Sequence, residues 1–161
     1  MSGSSADTGS RLHASADLDE AIAYRLHRSN RLLLTHLARV LERRRAGLTA
    51  EKWFVLARLH SDGPMRQVDL TERALEDAPN VSRLVDGLVA AELVERRPDP
   101  DDRRAKLLEL SADGRALADQ LLDDVRRERE RVFAGLDDAD LGALTAALDR
   151  VDQNVRSLLE R

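Results

Sequence analysis

Apolar residues recur at helical intervals through most of this chain, and one stretch breaks the rhythm. Over residues 18–45 the positions Leu18, Ile22, Leu26, Leu33, Leu37 and Leu41 share one helical face, which predicts a long helix with Asp17 as its cap and Gly47 as its stop. Leu32, Leu34, Ala38 and Val40 widen the apolar surface beyond one stripe, as either a partner chain or one broad core face requires. Thr49, with Glu51 in the positive first turn, starts a second helix bearing Trp53, Leu56, Leu59 and His60, and SDGP breaks it at 61–64. Two short helical patterns follow. The first, over 67–75, makes roughly two turns; the second is capped by Asp77, tolerates Pro79 early, and buries Val81, Leu84, Val85 and Leu88. Asn80, Ser82, Arg83 and Asp86 lie off that stripe, and Gly87 within it costs about 1 kcal/mol relative to alanine, so this helix depends on packing.

The break comes after Leu93. LVERR alternates, RRPDPDDRRAKLLEL inserts two prolines among aspartates and arginines, and Leu108 and Leu110 then share a face. Val94 and Arg96 alternate with Glu95 and Arg97 on the other arm, which predicts a hairpin with a long tip, its prolines outside both ladders. Ser111, with Asp113 nearby, caps a helix carrying Leu117, Leu121, Val125 and Val132 up to Gly135. Asp137 caps the last, where Leu141, Leu144, Leu148, Val151, Val155 and Leu158 keep a near-heptad spacing suited to a bundle or a dimer.

Composition narrows the chemistry. With 161 residues and 42% apolar content the chain can bury one proper core. Zero cysteines exclude disulfides, thiol switching and thiolate metal sites, which fits the cytoplasm. The opening MSGSSADTGS lacks the apolar run of a signal peptide and reads as a disordered arm; no stretch is apolar enough to span a membrane. A net charge of −4 gives no diffuse attraction to nucleic acid.

Local placement does. Residues 96–106 hold five basic and three acidic side chains, whereas 63–110 as a whole hold eight basic and eleven acidic. Affinity for an anion must therefore come from a few aimed arginines. An arginine gains from the strong negative potential of a narrow minor groove, and a carboxylate beside it can hold its planar fork. Asp102 and Arg104 are two apart, so on an extended strand they share a side. A solvated turn is the ordinary meaning of such a run, but a two-helix unit followed by a positive hairpin offers one element to each groove of a duplex.

Three stretches carry a family resemblance: LTAEKWFVLARL at 48–59, NVSRLVDGLVAAELVERRPDPDDRRAKLLELSADG at 80–114, and the helix starting LDDADL at 136. They resemble the MarR family of bacterial transcription regulators, and the flanking helices match its layout over nearly the whole chain. The resemblance implies a mainly α fold with a small β-hairpin wing. A winged helix-turn-helix lobe would occupy 48–110, dimerisation helices 17–47 and 111–161, and a disordered arm 1–16, with 17–161 forming a single domain. It further implies a homodimer that binds a pseudopalindromic operator in double-stranded DNA, usually as a repressor relieved by a small ligand. Its reading helix falls on Asn80, Ser82 and Arg83, with Gln67 near the backbone. Arg104 matches the wing arginine and Asp102 its supporting carboxylate; Arg97 and Arg103 fall where phosphates pass. Arg66 stands where a Ser or Thr cap is common, Gly87 where a basic residue is usual, and Glu92 where glycine is frequent, which predicts a distorted helix end.

The family's effector cleft makes His36, Trp53 and His60 candidate contacts for an aromatic or anionic molecule, although each residue type more often serves as a core or surface residue. His27 and His36 face different sides of the first helix, so no metal or other cofactor is expected. No phosphate loop, HExxH or nucleophile elbow occurs, so catalysis is not expected either. The rival reading is a helical interaction module that keeps the fold without specific DNA binding.

Overall fold

Nine elements order the described residues of the computed structural model, which are 21–44, 46–74, 77–102 and 104–160. The predicted arm, the cap at Asp17 and the start at Leu18 lie outside the described residues. In chain order the elements are α1 (Ile22–Arg43), α2 (Ala50–Asp62), β1 (Met65–Arg66), α3 (Gln67–Ala74), α4 (Ala78–Ala90), β2 (Val94–Pro98), β3 (Lys106–Leu110), α5 (Ala112–Val132) and α6 (Asp138–Leu159). The chain divides into two compact units, one ending at Val125 and one running from Arg126.

In the first unit the helix boundaries follow the capping chemistry. The Thr49 side chain accepts from the Lys52 amide at 3.3 Å and the Asp77 carboxylate from the Asn80 amide at 2.7 Å. Gly63, at φ +80°, ends α2 in a conformation that a side chain would strain. Three antiparallel strands order as β1-β3-β2, with Val94 opposite Leu110 and Pro98 opposite Lys106. One element is added here and one expectation corrected. Met65 and Arg66 form a strand, pairing with Leu108 and Leu107, that no alternation of residues announces. Pro98 sits inside a ladder, at the end of an edge strand where a missing N–H is tolerated.

One apolar cluster joins helices and sheet: Val55, Leu56 and Leu59 of α2, Leu70 of α3, Val81, Val85 and Leu88 of α4, Val94 of β2, and Leu108 and Leu110 of β3. A second gathers Leu41, Trp53 and Leu121, with Leu37, Leu117 and Val125 packed against it. α1 buries only Val40 and Leu41, and leaves Ile22, Leu26, Leu32 and Leu33 exposed. In the second unit α6 starts with a reciprocal box between Asp137 and Asp140 and buries none of its residues. Leu144, Leu148, Val151, Val155 and Leu158 are exposed along it.

The turn from α4 into β2 decides how helix and hairpin meet. The Leu93 amide donates to the Leu88 carbonyl at 3.0 Å and the Glu92 amide to that of Val89 at 3.0 Å, the Schellman pattern, with Glu92 at φ +58° where glycine is usual. The expected distortion is therefore corrected: the helix end keeps the regular motif, and Glu92 itself takes the left-handed conformation. α5 then locks onto the same turn. The Ser111 amide donates to the Leu93 carbonyl at 3.1 Å, and its hydroxyl donates to the Glu92 carbonyl at 2.7 Å while accepting from the Gly114 amide at 2.9 Å. A Cβ on Gly114 would lie 1.9 Å from the Leu93 carbonyl oxygen, which explains why Ser and Gly stand three apart here.

Substitutions at this turn are expected to act with opposite signs. Glu92→Gly should stabilise the chain by about 1 kcal/mol by removing a left-handed side chain. Gly114→Ala should destabilise it by about 3 kcal/mol, because the clash is with backbone that no rotamer change relieves. Urea midpoints of the two variants check both.

Candidate nucleic-acid interface

The exposed side of α4 presents the residues picked from the sequence. Val81, Val85 and Leu88 point into the core, so Arg83 and Asp86 are exposed and Asn80 and Ser82 half-buried at the edge of the same face. The Arg83 guanidinium donates to Asn80 Oδ1 at 2.9 Å, which holds the two together. Gln67 opens α3 and is half-buried. Gly87, the expected departure from a basic residue, lies beneath another cation: a Cβ there would come 2.9 Å from the Lys52 ammonium.

The hairpin tip is shaped by its own aspartates. Asp99 Oδ1 accepts from the Asp101 amide at 2.9 Å and Asp102 Oδ1 from the Arg104 amide at 3.0 Å, so each carboxylate caps the backbone two residues on. The Asp99 amide donates to the Ala105 carbonyl at 3.1 Å and the Ala105 amide to that of Asp102 at 2.9 Å, closing the loop. The expected geometry of Asp102 is therefore corrected: Asp102 and Arg104 lie in a turn, and the carboxylate holds the Arg104 backbone instead of its guanidinium. Arg104 is exposed, and its guanidinium has no partner among the described residues. Arg103 lies outside the described residues. Arg97 is exposed but engaged, 3.0 Å from Glu95 and 3.3 Å from Glu109, and Arg96 reaches Asp86 of α4 at 2.6 Å.

Sequence reasoning missed the residue that braces this loop. Asp99 is 5% exposed, and Arg66 Nε and Nη2 both approach its Oδ2 at 2.6 Å. The amide of Asp101 and the Arg66 guanidinium hold the Asp99 carboxyl below the usual carboxylate range. The run of alternating signs concealed this pair, because its partner comes from another strand.

The three effector candidates are not brought together in a cavity. Trp53 is 2% exposed in the second cluster, and His60 Nε2 lies 2.7 Å from Asp119 Oδ1, tying α2 to α5. His36 is half-buried on α1. A cavity of about 520 Å³ opens instead between α1, α2, α3 and α4, with Leu34, Phe54, Arg58, Leu70, Arg73 and Leu84 in its lining. Arg58 and Arg73 both pair with Asp62, the former at 3.4 Å. Among the described residues no three His, Cys, Asp or Glu are placed to hold a metal, and no helix is long and apolar enough to cross a membrane.

A helix pair, a reading helix and a short three-stranded sheet with a projecting hairpin define a winged helix-turn-helix protein. The sequence profile of the MarR family matches residues 48–106. A probable transcriptional regulator from Pseudomonas aeruginosa superposes with a TM-score of 0.74 at 30% identity, covering 84% of this chain and 99% of that one. BpsR of Bordetella bronchiseptica, whose DNA binding is regulated by 6-hydroxynicotinic acid, superposes at 0.76 with 25% identity over 86% of this chain and 97% of its own. The transcriptional repressor NicR of Pseudomonas putida is 34% identical over 89 residues, 55% of this chain and 56% of that protein, so the chain spans about half the length of that relative. The chain belongs to the MarR family, a family of transcriptional regulators.

Because Asp99 is held ionised in the folded chain, its contribution to stability is present above the ordinary aspartate range and lost as pH falls through its lowered folded value. Asp99→Asn should therefore melt below the parent at pH 7, and the gap should close as pH is lowered past about 4. Thermal melts across that range test this, and a gap independent of pH would contradict it.

Proposed function

We propose that the chain is a ligand-responsive transcriptional repressor, and no enzyme, that binds a pseudopalindromic operator as a homodimer in the cytoplasm. The observation that carries this reading is the position of Arg104, exposed and without a side-chain partner among the described residues, at the tip of a hairpin that shares its core with α4. α4 enters the major groove, where Asn80 and Arg83 offer amide and guanidinium donors to base edges and Ser82 a hydroxyl to phosphate. The tip follows the adjacent minor groove, with Arg104 inserted. Gln67 and Arg103 contact the backbone. Arg97 contributes less, since it must first leave Glu95 and Glu109.

A second copy of the chain would complete the symmetric arrangement, and exposed apolar surface supports it. The exposed apolar residues of α1 and, separately, of α6 are more than a lone chain leaves in water without reason. The 520 Å³ cavity takes the effector, with Phe54 and the aliphatic wall facing an aromatic ring and Arg58 and Arg73 an anionic group. BpsR, which responds to a hydroxylated aromatic acid, supports that class.

Duplexes selected from a random pool should contain two half-sites about one helical turn apart. On such a duplex Arg104→Ala should weaken binding about tenfold and Arg97→Ala by less, with affinity falling steeply as salt rises. If Arg104→Ala and Asn80→Ala both bind unchanged in gel shifts, the chain is an interaction module that kept the fold.

A further inference from the structure

Asp99 is the one buried charged side chain among the described residues, and its partner comes from the opposite edge of the sheet. It follows β2 directly, while Arg66 lies on β1, paired with Leu107 of β3. The guanidinium thus reaches past the central strand to the root of the tip. Arg66 also immediately precedes Gln67, the first residue of α3. One ion pair therefore links the start of the helix pair to the loop that carries Arg104.

We infer that Arg66 is the positioning residue of the wing: by holding Asp99 inward it sets where the Arg104 guanidinium meets DNA. The inference rests on the DNA-reading role of the hairpin proposed above. Asp99 divides its two oxygens, Oδ1 to the Asp101 amide and Oδ2 to Arg66, so the loop conformation and the sheet are joined through one carboxylate. Without the guanidinium the carboxylate keeps the Asp101 amide but is a desolvated charge with no counter-ion, a state that proteins relieve by turning the charge out to water. Turning Asp99 out means moving the tip, because the Asp99 amide and the Ala105 carbonyl close that loop. The side chain of Arg66 is 40% exposed, but its Nε and Nη2 are both committed to the one buried oxygen at 2.6 Å. On this inference Arg66 acts through the wing rather than by a DNA contact of its own. Lysine keeps the charge but not the fork, and should restore the position only in part.

A double-mutant cycle in the full chain, read as affinity for a duplex selected from the random pool, tests this. Arg66→Gln should weaken binding about tenfold, as Arg104→Ala does, and the double variant should bind no more weakly than Arg104→Ala alone. Arg66→Lys should recover part of the loss, and Asp99→Asn, of nearly unchanged shape, should reproduce it, each with parental circular dichroism. Additive losses would overturn the inference, since Arg66 would then touch DNA independently; so would unchanged affinity of Arg66→Gln. Should Arg66→Gln fail to fold, the same cycle run with Asp99→Asn decides by the same criterion. If Arg104→Ala itself has no effect, the wing reading fails and this inference with it, whereas additivity removes the inference alone.

Discussion

Helix α4 and the hairpin cannot move independently, because they bury their apolar sides in the same core. Val81, Val85 and Leu88 from the helix meet Val94, Leu108 and Leu110 from the strands, all buried. The backbone repeats the constraint at the Leu93 carbonyl, where Ser111 bonds and Gly114 leaves the only space that fits. A surface built on such a join presents two elements at a fixed separation, as recognition of two neighbouring grooves requires.

The electrostatics of the tip follow a division of labour that net charge hides. Asp99 and Asp102 bend the backbone, Glu95 and Glu109 occupy Arg97, and Asp86 occupies Arg96. Arg104 is left exposed. An acidic chain can thus offer a localised cation to a polyanion, at a site where geometry selects which arginine is available.

Much of this was legible from sequence because the signals were local. Thr49, Asp77 and Asp137 cap the helices that their spacing predicts, and the stripe Val81, Val85, Leu88 is the buried face of α4. Glu92 at a glycine position marked the helix end, although the end is regular and the strain falls on Glu92 alone. What failed was non-local. β1 has two residues and exists only because β3 pairs with it, so no periodicity could reveal it. Asp102 looked like an orienting group under the assumption of an extended strand, and the loop turned its carboxylate to the backbone. Arg66 was visible as an oddity, but its partner is 33 residues away. Among the effector candidates, Trp53 fills the core, and the cavity is lined instead by helix-surface residues such as Phe54, Arg58 and Arg73 that carry no pattern of their own.

On the proposed function one chain addresses both grooves of a duplex at once. Dimethyl sulfate interference on a selected duplex examines both grooves in a single reaction, because guanine N7 lies in the major groove and adenine N3 in the minor. Methylated guanines should block binding within each half-site, and methylated adenines in the A·T-rich flank that the hairpin follows. Interference confined to one groove, or absent from both, would contradict it.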